Sequence, residues 1–152
     1  MVGVSGHLHV RIVRGKGLLP TTTRGSTYIE VKVDGQSIGS TKAKKGEDPV
    51  YERKMDYMMC GEVDKISLAL WEKVAFGRDI FLGIICVNMS QLRTKKKIKG
   101  LHTLRDADMQ SVGKIEMKLL FEEIDMWKSS PYPIIPQHSS IAKTSQRSLF
   151  AQ

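Results

Sequence analysis

Two carboxylates, Glu72 and Asp79, are the side chains whose surroundings most suggest metal chemistry. They flank a short apolar and basic segment within residues 71–83. Calcium takes about six to eight oxygen ligands that converge on one point. Glu72 and Asp79 are the only acidic residues within residues 71–83, so few oxygen ligands are available. The sequence therefore predicts a loop that binds calcium very weakly or not at all.

Histidines are the second candidate for metal binding. His7 and His9 are separated by one residue, so on a strand they would share a face and could hold a metal in principle. No Asp, Glu or Cys at ligand spacing adjoins them in the sequence. We therefore expect a solvent-facing histidine pair and no metal site.

The sequence gives little support for catalysis. Residues 15–17 read Gly-Lys-Gly but lack the spacing of a phosphate-binding loop, and no Gly-x-Ser-x-Gly elbow occurs. Cys60 and Cys86 lie in or beside apolar runs and are too few for a disulfide framework or zinc site. We expect free thiols packed as small hydrophobes in a reducing compartment. The prediction is a protein that is not an enzyme and needs no cofactor.

Apolar and polar residues alternate with a period of two along several short runs, which indicates strands. Polar segments rich in glycine separate these runs, and Asp34-Gly35 predicts a tight hairpin. Little helical periodicity accompanies them, so an all-β, antiparallel β-sandwich is expected. Eight strands are predicted near residues 6–14, 27–33, 36–43, 51–58, 65–72, 80–88, 101–105 and 112–122, with one short helix at about 88–95.

Residues 71–83 resemble a calcium-binding loop of the C2 domain family. The non-acidic positions of that loop are kept as Trp71, Phe81, Leu82 and Gly83. Most of its carboxylate positions are lost, since Val74 and Ile80 stand at two of them. The resemblance thus implies a C2 variant that lacks most of its calcium-binding aspartates.

The resemblance covers roughly residues 6–122, and its parts occur in the family's order. Residues 6–20 are similar to the opening strand and the Leu-Pro entrance to the first tip loop. Residues 26–33 match the second strand, with Ser26 or Thr27 near an expected Asp, and residues 48–52 resemble the turn before the fourth strand. A first strand near the N-terminus and a last strand at 113–121 imply the circularly permuted, type II topology.

Length and composition predict one domain. A chain of 152 residues with 41% hydrophobic residues is long enough for one real core. We expect a C2-like sandwich over residues 1–123 and a C-terminal linker or tail, partly disordered, over residues 124–152. No apolar run approaches the roughly 18 residues of a membrane span and no secretory h-region is present, which predicts a soluble protein that is not exported by that route.

Positive charge is the next signal, because a net charge of +8 and a pI near 9.6 favour anionic partners. In C2 domains a lysine-rich cluster on the third and fourth strands binds phosphoinositide headgroups. The resemblance places Lys32, Lys42, Lys44 and Lys45 there, with Lys42 and Lys44 on one side of their strand. The alternative is a solvated charged edge that discourages aggregation.

The segment between the two loop carboxylates places apolar side chains between two cations, which is typical of a membrane-touching tip. The residues expected to touch lipid there are Lys73, Val74, Phe76 and Arg78. Alternatively, Phe76 folds under the loop as a local core. A second basic run over residues 93–99 is open to three interpretations, which are a solvated loop, a partner surface and a nuclear-import signal.

These observations predict a calcium-independent C2-like membrane-targeting or interaction module within a larger signalling or trafficking protein. Its expected partners are anionic membrane lipids, either phosphoinositide or phosphatidylserine, and a protein partner or neighbouring domain. The expected location is cytoplasmic, at the membrane periphery. The alternative is a protein–protein interaction scaffold without lipid binding. Nucleic acid is not expected, because no aromatic stacking platform accompanies the lysines.

Overall fold

A computed structural model describes residues 2–21 and 25–124. The predicted tail over residues 124–152 lies, from residue 125 onward, outside the described residues. Nine strands and one helix occur in the described part. They are β1 (Val2–Lys16), β2 (Ser26–Val33), β3 (Gln36–Ser40), β4 (Lys44–Lys45), β5 (Val50–Val63), β6 (Lys65–Lys73), β7 (Ile80–Asn88), α1 (Met89–Lys95), β8 (Lys97–Arg105) and β9 (Ser111–Glu123).

The strands pair antiparallel in the order β3-β2-β6-β7-β8-β9-β1-β5, and β4 also pairs with β2. A single residue pair, Ile84 with Arg105, joins β7 to β8. The order therefore divides into a first sheet (β3, β2, β6, β7) and a second sheet (β8, β9, β1, β5). The predicted antiparallel sandwich is confirmed, and its type II topology stays a prediction.

Alternating side chains of both sheets point inward and form one core. In β2 the buried residues are Ile29, Val31 and Val33, and the residues between them are half-buried. The second sheet contributes Leu8, Val10, Ile12, Ile115, Met117 and Leu119. The predicted hairpin is present, since Val33 pairs with Gln36 and both Asp34 and Gly35 have positive φ, as a two-residue turn of this type requires.

The predicted strand over residues 36–43 is wrong at its C-terminal end. The Thr41 hydroxyl accepts a hydrogen bond from the Ile29 amide, 3.0 Å away, so a side chain takes a backbone acceptor's place in the ladder. β3 therefore ends at Ser40, and a separate short strand, β4, begins at Lys44. This division accounts for nine strands instead of eight.

Strand directions give the sandwich two distinct ends. The loop end carries residues 17–21, 25, 41–49, 74–79 and 106–110, because β1, β6 and β8 end there. The helix end carries the hairpin turn at Asp34, the turn at Asp64 and the helix α1. Within the described ranges, no helix combines the length and hydropathy needed to span a membrane.

Candidate functional site

Glu72 ties two loops of the loop end together. It lies at the end of β6, is 3% exposed, and accepts hydrogen bonds from the Thr21 amide at 2.6 Å and the Thr21 hydroxyl at 2.9 Å. A Cβ on Gly25 would lie 2.9 Å from Glu72 Oε2, so glycine lets the chain close over this carboxylate. Glu72 is therefore a structural acceptor between the β1–β2 and β6–β7 loops.

Asp79 has a similar role on the other side of the β6–β7 loop. Its two oxygens accept from the Tyr28 hydroxyl at 2.5 Å and from the Val74 amide at 3.1 Å. The hydrogen bond from Tyr28, followed by that from Val74, lowers the pKa of Asp79. Burial, together with the neighbouring Asp79, raises the pKa of Tyr28 to about 12. This carboxylate stays ionised and is held by the protein itself.

Thr27 occupies a position where the family resemblance implies a carboxylate nearby. The structure buries it completely and places its hydroxyl 2.6 Å from the Tyr51 hydroxyl. Burial raises the pKa of Tyr51 to about 12. Thr27 thus packs against the core and does not face the loops.

Phe76 is the most exposed large apolar side chain described, at 94%. It sits at the tip of the β6–β7 loop, where Gly77 has a φ of 92° and turns the chain back. Lys73 and Arg78 on either side are exposed, and Val74 is half-buried. The alternative in which Phe76 packs beneath the loop is wrong, because almost the whole side chain is exposed.

Further apolar side chains are exposed at the same end, and residue types alone did not indicate them. Leu19 in the β1–β2 loop is 57% exposed and Met109 in the β8–β9 loop is 69% exposed. Val50, Ile80 and Phe81 are also exposed near this end. Their position next to strand termini rich in glycine and proline was the available signal. Six of the eight large exposed apolar residues in the described ranges lie at or next to the loop end. Exposed apolar side chains are therefore concentrated at this end.

The predicted lysine cluster is divided by the fold. Lys42, Lys44 and Lys45, here called the basic edge, are exposed beside β2. Because Lys42 lies outside a strand, the expected shared strand face of Lys42 and Lys44 is wrong. Arg53 joins this region from β5, where its Nε donates to the Ser40 carbonyl oxygen at 3.3 Å. The sequence spacing gave no signal for Arg53.

Lys32 lies apart from the basic edge, on the outer face of the first sheet. Its Nζ is 3.6 Å from Glu30 Oε1 and 5.9 Å from the centre of a Trp71 ring. The side chain is half-buried. Its charge is partly compensated by Glu30, so Lys32 offers less to an anionic headgroup than the basic edge does.

The basic run over residues 93–99 divides between α1 and β8. Arg93 forms a bidentate pair with Glu123 and donates to the Gly3 carbonyl oxygen, which fixes the helix to the end of β9. The Glu123 carboxylate raises the pKa of Arg93, and Arg93 lowers that of Glu123. Lys97 and Lys99 belong to β8 and are exposed. The run is therefore not a single surface.

The environment of His9 differs from the expectation. Its Nδ1 contacts Asp56 of β5 and its Nε2 contacts Glu122 of β9 at 2.6 Å. Both carboxylates, Asp56 first, raise the pKa of His9. They come from strands distant in the sequence, so spacing along the chain gave no signal for these two contacts. Among the described residues, no group of three or more His, Cys, Asp or Glu side chains is placed to hold a metal ion.

The two cysteines are also placed differently from the prediction. Cys60 and Cys86 are both free and exposed. Their neighbours Met59 and Ile85 point into the core, and alternation turns the cysteines outward. Both sequence runs were apolar enough to suggest burial on either face.

Known proteins were compared with this chain by family model, by sequence and by structure. A family model for the C2 domain matches residues 6–104. A search of curated proteins finds no match.

Three solved structures share the fold at 16–20% sequence identity. At this identity the similarity shows a common fold and nothing about function. The first C2 domain of plant Extended Synaptotagmin 1 matches with a TM-score of 0.64 and 18% identity, over 82% of this chain and 99% of that one. A structure of the two consecutive C2 domains of Extended-Synaptotagmin 2 matches with a TM-score of 0.67 and 16% identity, over 80% and 43%. CC2D1B matches with a TM-score of 0.64 and 20% identity, over 76% of this chain and 54% of that chain. This chain thus spans about half of the CC2D1B chain.

Proposed function

Because the chain belongs to the C2 domain family, we propose that it attaches reversibly to anionic membrane surfaces through its loop end, without calcium. The observation that carries this proposal is the 94% exposure of Phe76 between the exposed cations Lys73 and Arg78. An apolar tip with flanking positive charge matches the boundary between acyl chains and headgroups. The domain would act in the cytoplasm, at the membrane periphery, as a binding module without a catalytic step or cofactor.

Energetically, several weak contributions would act together. Insertion of Phe76 would contribute about 1–2 kcal/mol through apolar burial. Each Lys or Arg near an anionic leaflet would add about 1 kcal/mol. Lys73, Arg78 and the basic edge supply such charges, so the expected attachment is weak, reversible and sensitive to salt.

Calcium independence is supported by how the loop carboxylates are used. Glu72 and Asp79 each accept hydrogen bonds that hold the loops in place. A calcium ion would have to break these contacts and would still find few other oxygen ligands. Calorimetry with micromolar calcium should give no saturable heat, and the melting temperature should not rise.

Co-sedimentation with vesicles tests the proposed function. We compare vesicles of phosphatidylcholine alone, with phosphatidylserine, and with phosphoinositide, each with calcium or with chelator. Binding should require an anionic lipid, ignore calcium and fall steeply with salt. Replacing Lys42 and Lys44 by Glu should weaken binding far more than replacing Lys95 and Lys97, which change net charge equally at the helix end. Equal losses would mean diffuse attraction, and indifference to every lipid would favour the protein–protein scaffold.

A further inference from the structure

Four basic side chains form a row across all four strands of the second sheet. In the strand register, Lys99 of β8 is directly opposite Lys118 of β9, Lys118 is opposite Arg11 of β1, and Arg11 is opposite Lys54 of β5. All four are exposed. We call these residues the basic row. With strands about 4.8 Å apart, the row extends for about 14 Å.

Such a row costs stability, because like charges directly opposite one another on neighbouring strands repel. Arg11 is relieved by Glu52, at 3.2 to 3.4 Å. Within the part of the chain that the structure describes, no carboxylate pairs with Lys54, Lys99 or Lys118. The row therefore contains three consecutive pairs of like charges, and only the charge of Arg11 is partly compensated within the described residues.

A shallow cavity of about 260 Å³ opens at the centre of the basic row. Arg11, Lys54 and Lys118 line it from three adjacent strands, and Leu120 adds an apolar wall. Asp56 and His9 line its edge. Asp56 contacts His9, and among the described residues it forms no ion pair with Lys54 or Lys118.

A larger cleft, of about 1020 Å³, lies at the helix end beside Arg93 and Glu123. Those two side chains neutralise one another through their bidentate pair. The smaller cavity, in contrast, is lined by two lysines, Lys54 and Lys118, that form no ion pair among the described residues.

We propose that the cavity in the basic row binds a phosphate group. A phosphate presents several strong acceptor oxygens and up to two negative charges, which suit one guanidinium and two ammonium groups around a small volume. The site is separate from the loop end, since Arg11 lies five residues before the end of β1, about 17 Å along the strand. A domain docked by its loop end would leave this face open to the surrounding solution.

The phosphate could belong to a soluble anion or to a lipid headgroup, and the test distinguishes these sources. At low ionic strength, pyrophosphate and the soluble headgroup inositol trisphosphate should raise the melting temperature saturably, whereas chloride at equal ionic strength should not. Lys118→Gln should weaken this binding at least tenfold. Without ligand, Lys118→Gln should melt no lower than the wild type, since it removes two like-charged contacts.

Lys65→Gln, at an exposed lysine of β6 in the first sheet, is the matched control and should retain the response to both soluble ligands. Vesicles that carry phosphoinositide form the third arm. If Lys118→Gln weakens binding to these vesicles, the phosphate belongs to a lipid headgroup. If Lys118→Gln weakens binding of the soluble ligands but not of the vesicles, the phosphate belongs to a soluble anion. A response that is absent, or equal in Lys118→Gln and Lys65→Gln, would overturn the phosphate site whatever the outcome at the loop end.

Discussion

The two ends of the sandwich handle their exposed groups in opposite ways. At the helix end, Asp34 accepts from the amides of Asp64 and Lys65, and Arg93 is held by Glu123 and Gly3. At the loop end, the hydrogen bonds lie inside the loops, while Phe76 and the basic edge remain exposed. At the helix end these charged groups are paired within the protein, whereas the loop end leaves apolar and positively charged groups exposed.

Under the proposed function, this difference separates the residues that stabilise the fold from those that bind a membrane. Burial of Leu92 and Met89 makes α1 part of the core. The exposed side chains of the loop end contribute little to folding, because they have few neighbours, so they are available for contact with another surface. Mutations at the two ends should accordingly change different measured quantities.

The largest effect is expected from Leu92→Ala at the helix end. Removing this fully buried side chain should lower the free energy of unfolding by about 2–5 kcal/mol, from lost burial and the cavity left behind. Vesicle binding by the folded fraction should not change. Leu101→Ala, at an exposed leucine of β8, is the control and should stay within about 0.5 kcal/mol of the wild type. Denaturant unfolding measures both, and equal losses would contradict the placement of α1 in the core.

Glu72→Ala should have the next largest effect, this time on the stability of the loop end. It removes the acceptor of the Thr21 amide and hydroxyl, which costs about 1–3 kcal/mol where those groups are shielded from water. Glu72→Gln keeps one acceptor oxygen and should lose less. If Glu72→Ala melts like the wild type, Glu72 does not hold the two loops together.

Phe76→Ala should affect binding without affecting stability. Because the side chain is almost fully exposed, the melting temperature should not change. Affinity for anionic vesicles should fall by about 1–2 kcal/mol, with an unchanged salt dependence because no charge is altered. A normal melt with normal vesicle binding would remove Phe76 from the lipid contact and leave the cations or a protein partner.

The smallest expected effect is on the acid sensitivity of thermal stability, which should change through one carboxylate at each end of the sandwich. Asp79 and Glu123 both have pKa values below their ordinary values of 3.8 and 4.5. Each therefore contributes stability above about pH 4.5, and this contribution is lost as the pH falls through the lowered pKa. Asp79→Asn and Glu123→Gln should both reduce acid sensitivity in thermal melts.

Added salt should distinguish these two variants. It should weaken the contribution of Glu123, which is an exposed ion pair with Arg93, and should leave that of Asp79 largely intact. Tyr28 and the Val74 amide, the main donors to Asp79, are uncharged. An identical response of both variants to salt would mean that the two carboxylates are not held by different kinds of donor.

Much of the fold follows from local pattern. Period-two alternation located the strands, and Asp34-Gly35 specified the hairpin turn, because both signals depend on neighbours in sequence. Strand lengths were less predictable. β5 continues to Val63, well beyond the expected end at residue 58, since pairing with β1 extends it through a glycine at position 61.

Some features of the candidate site could be predicted from the sequence and others could not. The loss of oxygen ligands at Val74 and Ile80 and the apolar tip at Phe76 could be identified from residue types alone. Whether Phe76 was packed or exposed could not be identified in this way, because that depends on how the loop folds against the sandwich. The compensation of Lys32 by Glu30, and the approach of Arg53 to the basic edge, required the assembled sheets.

The sequence by itself determined the strand pattern, the turn chemistry and the lack of side-chain oxygens at Val74 and Ile80. These properties belong to single segments, so composition and spacing express them directly. Only the tertiary structure decided which charges meet. The carboxylates beside His9 and the four cations of the basic row come from strands far apart in the chain. Strand register brings them together, and register depends on how two sheets bury a common core.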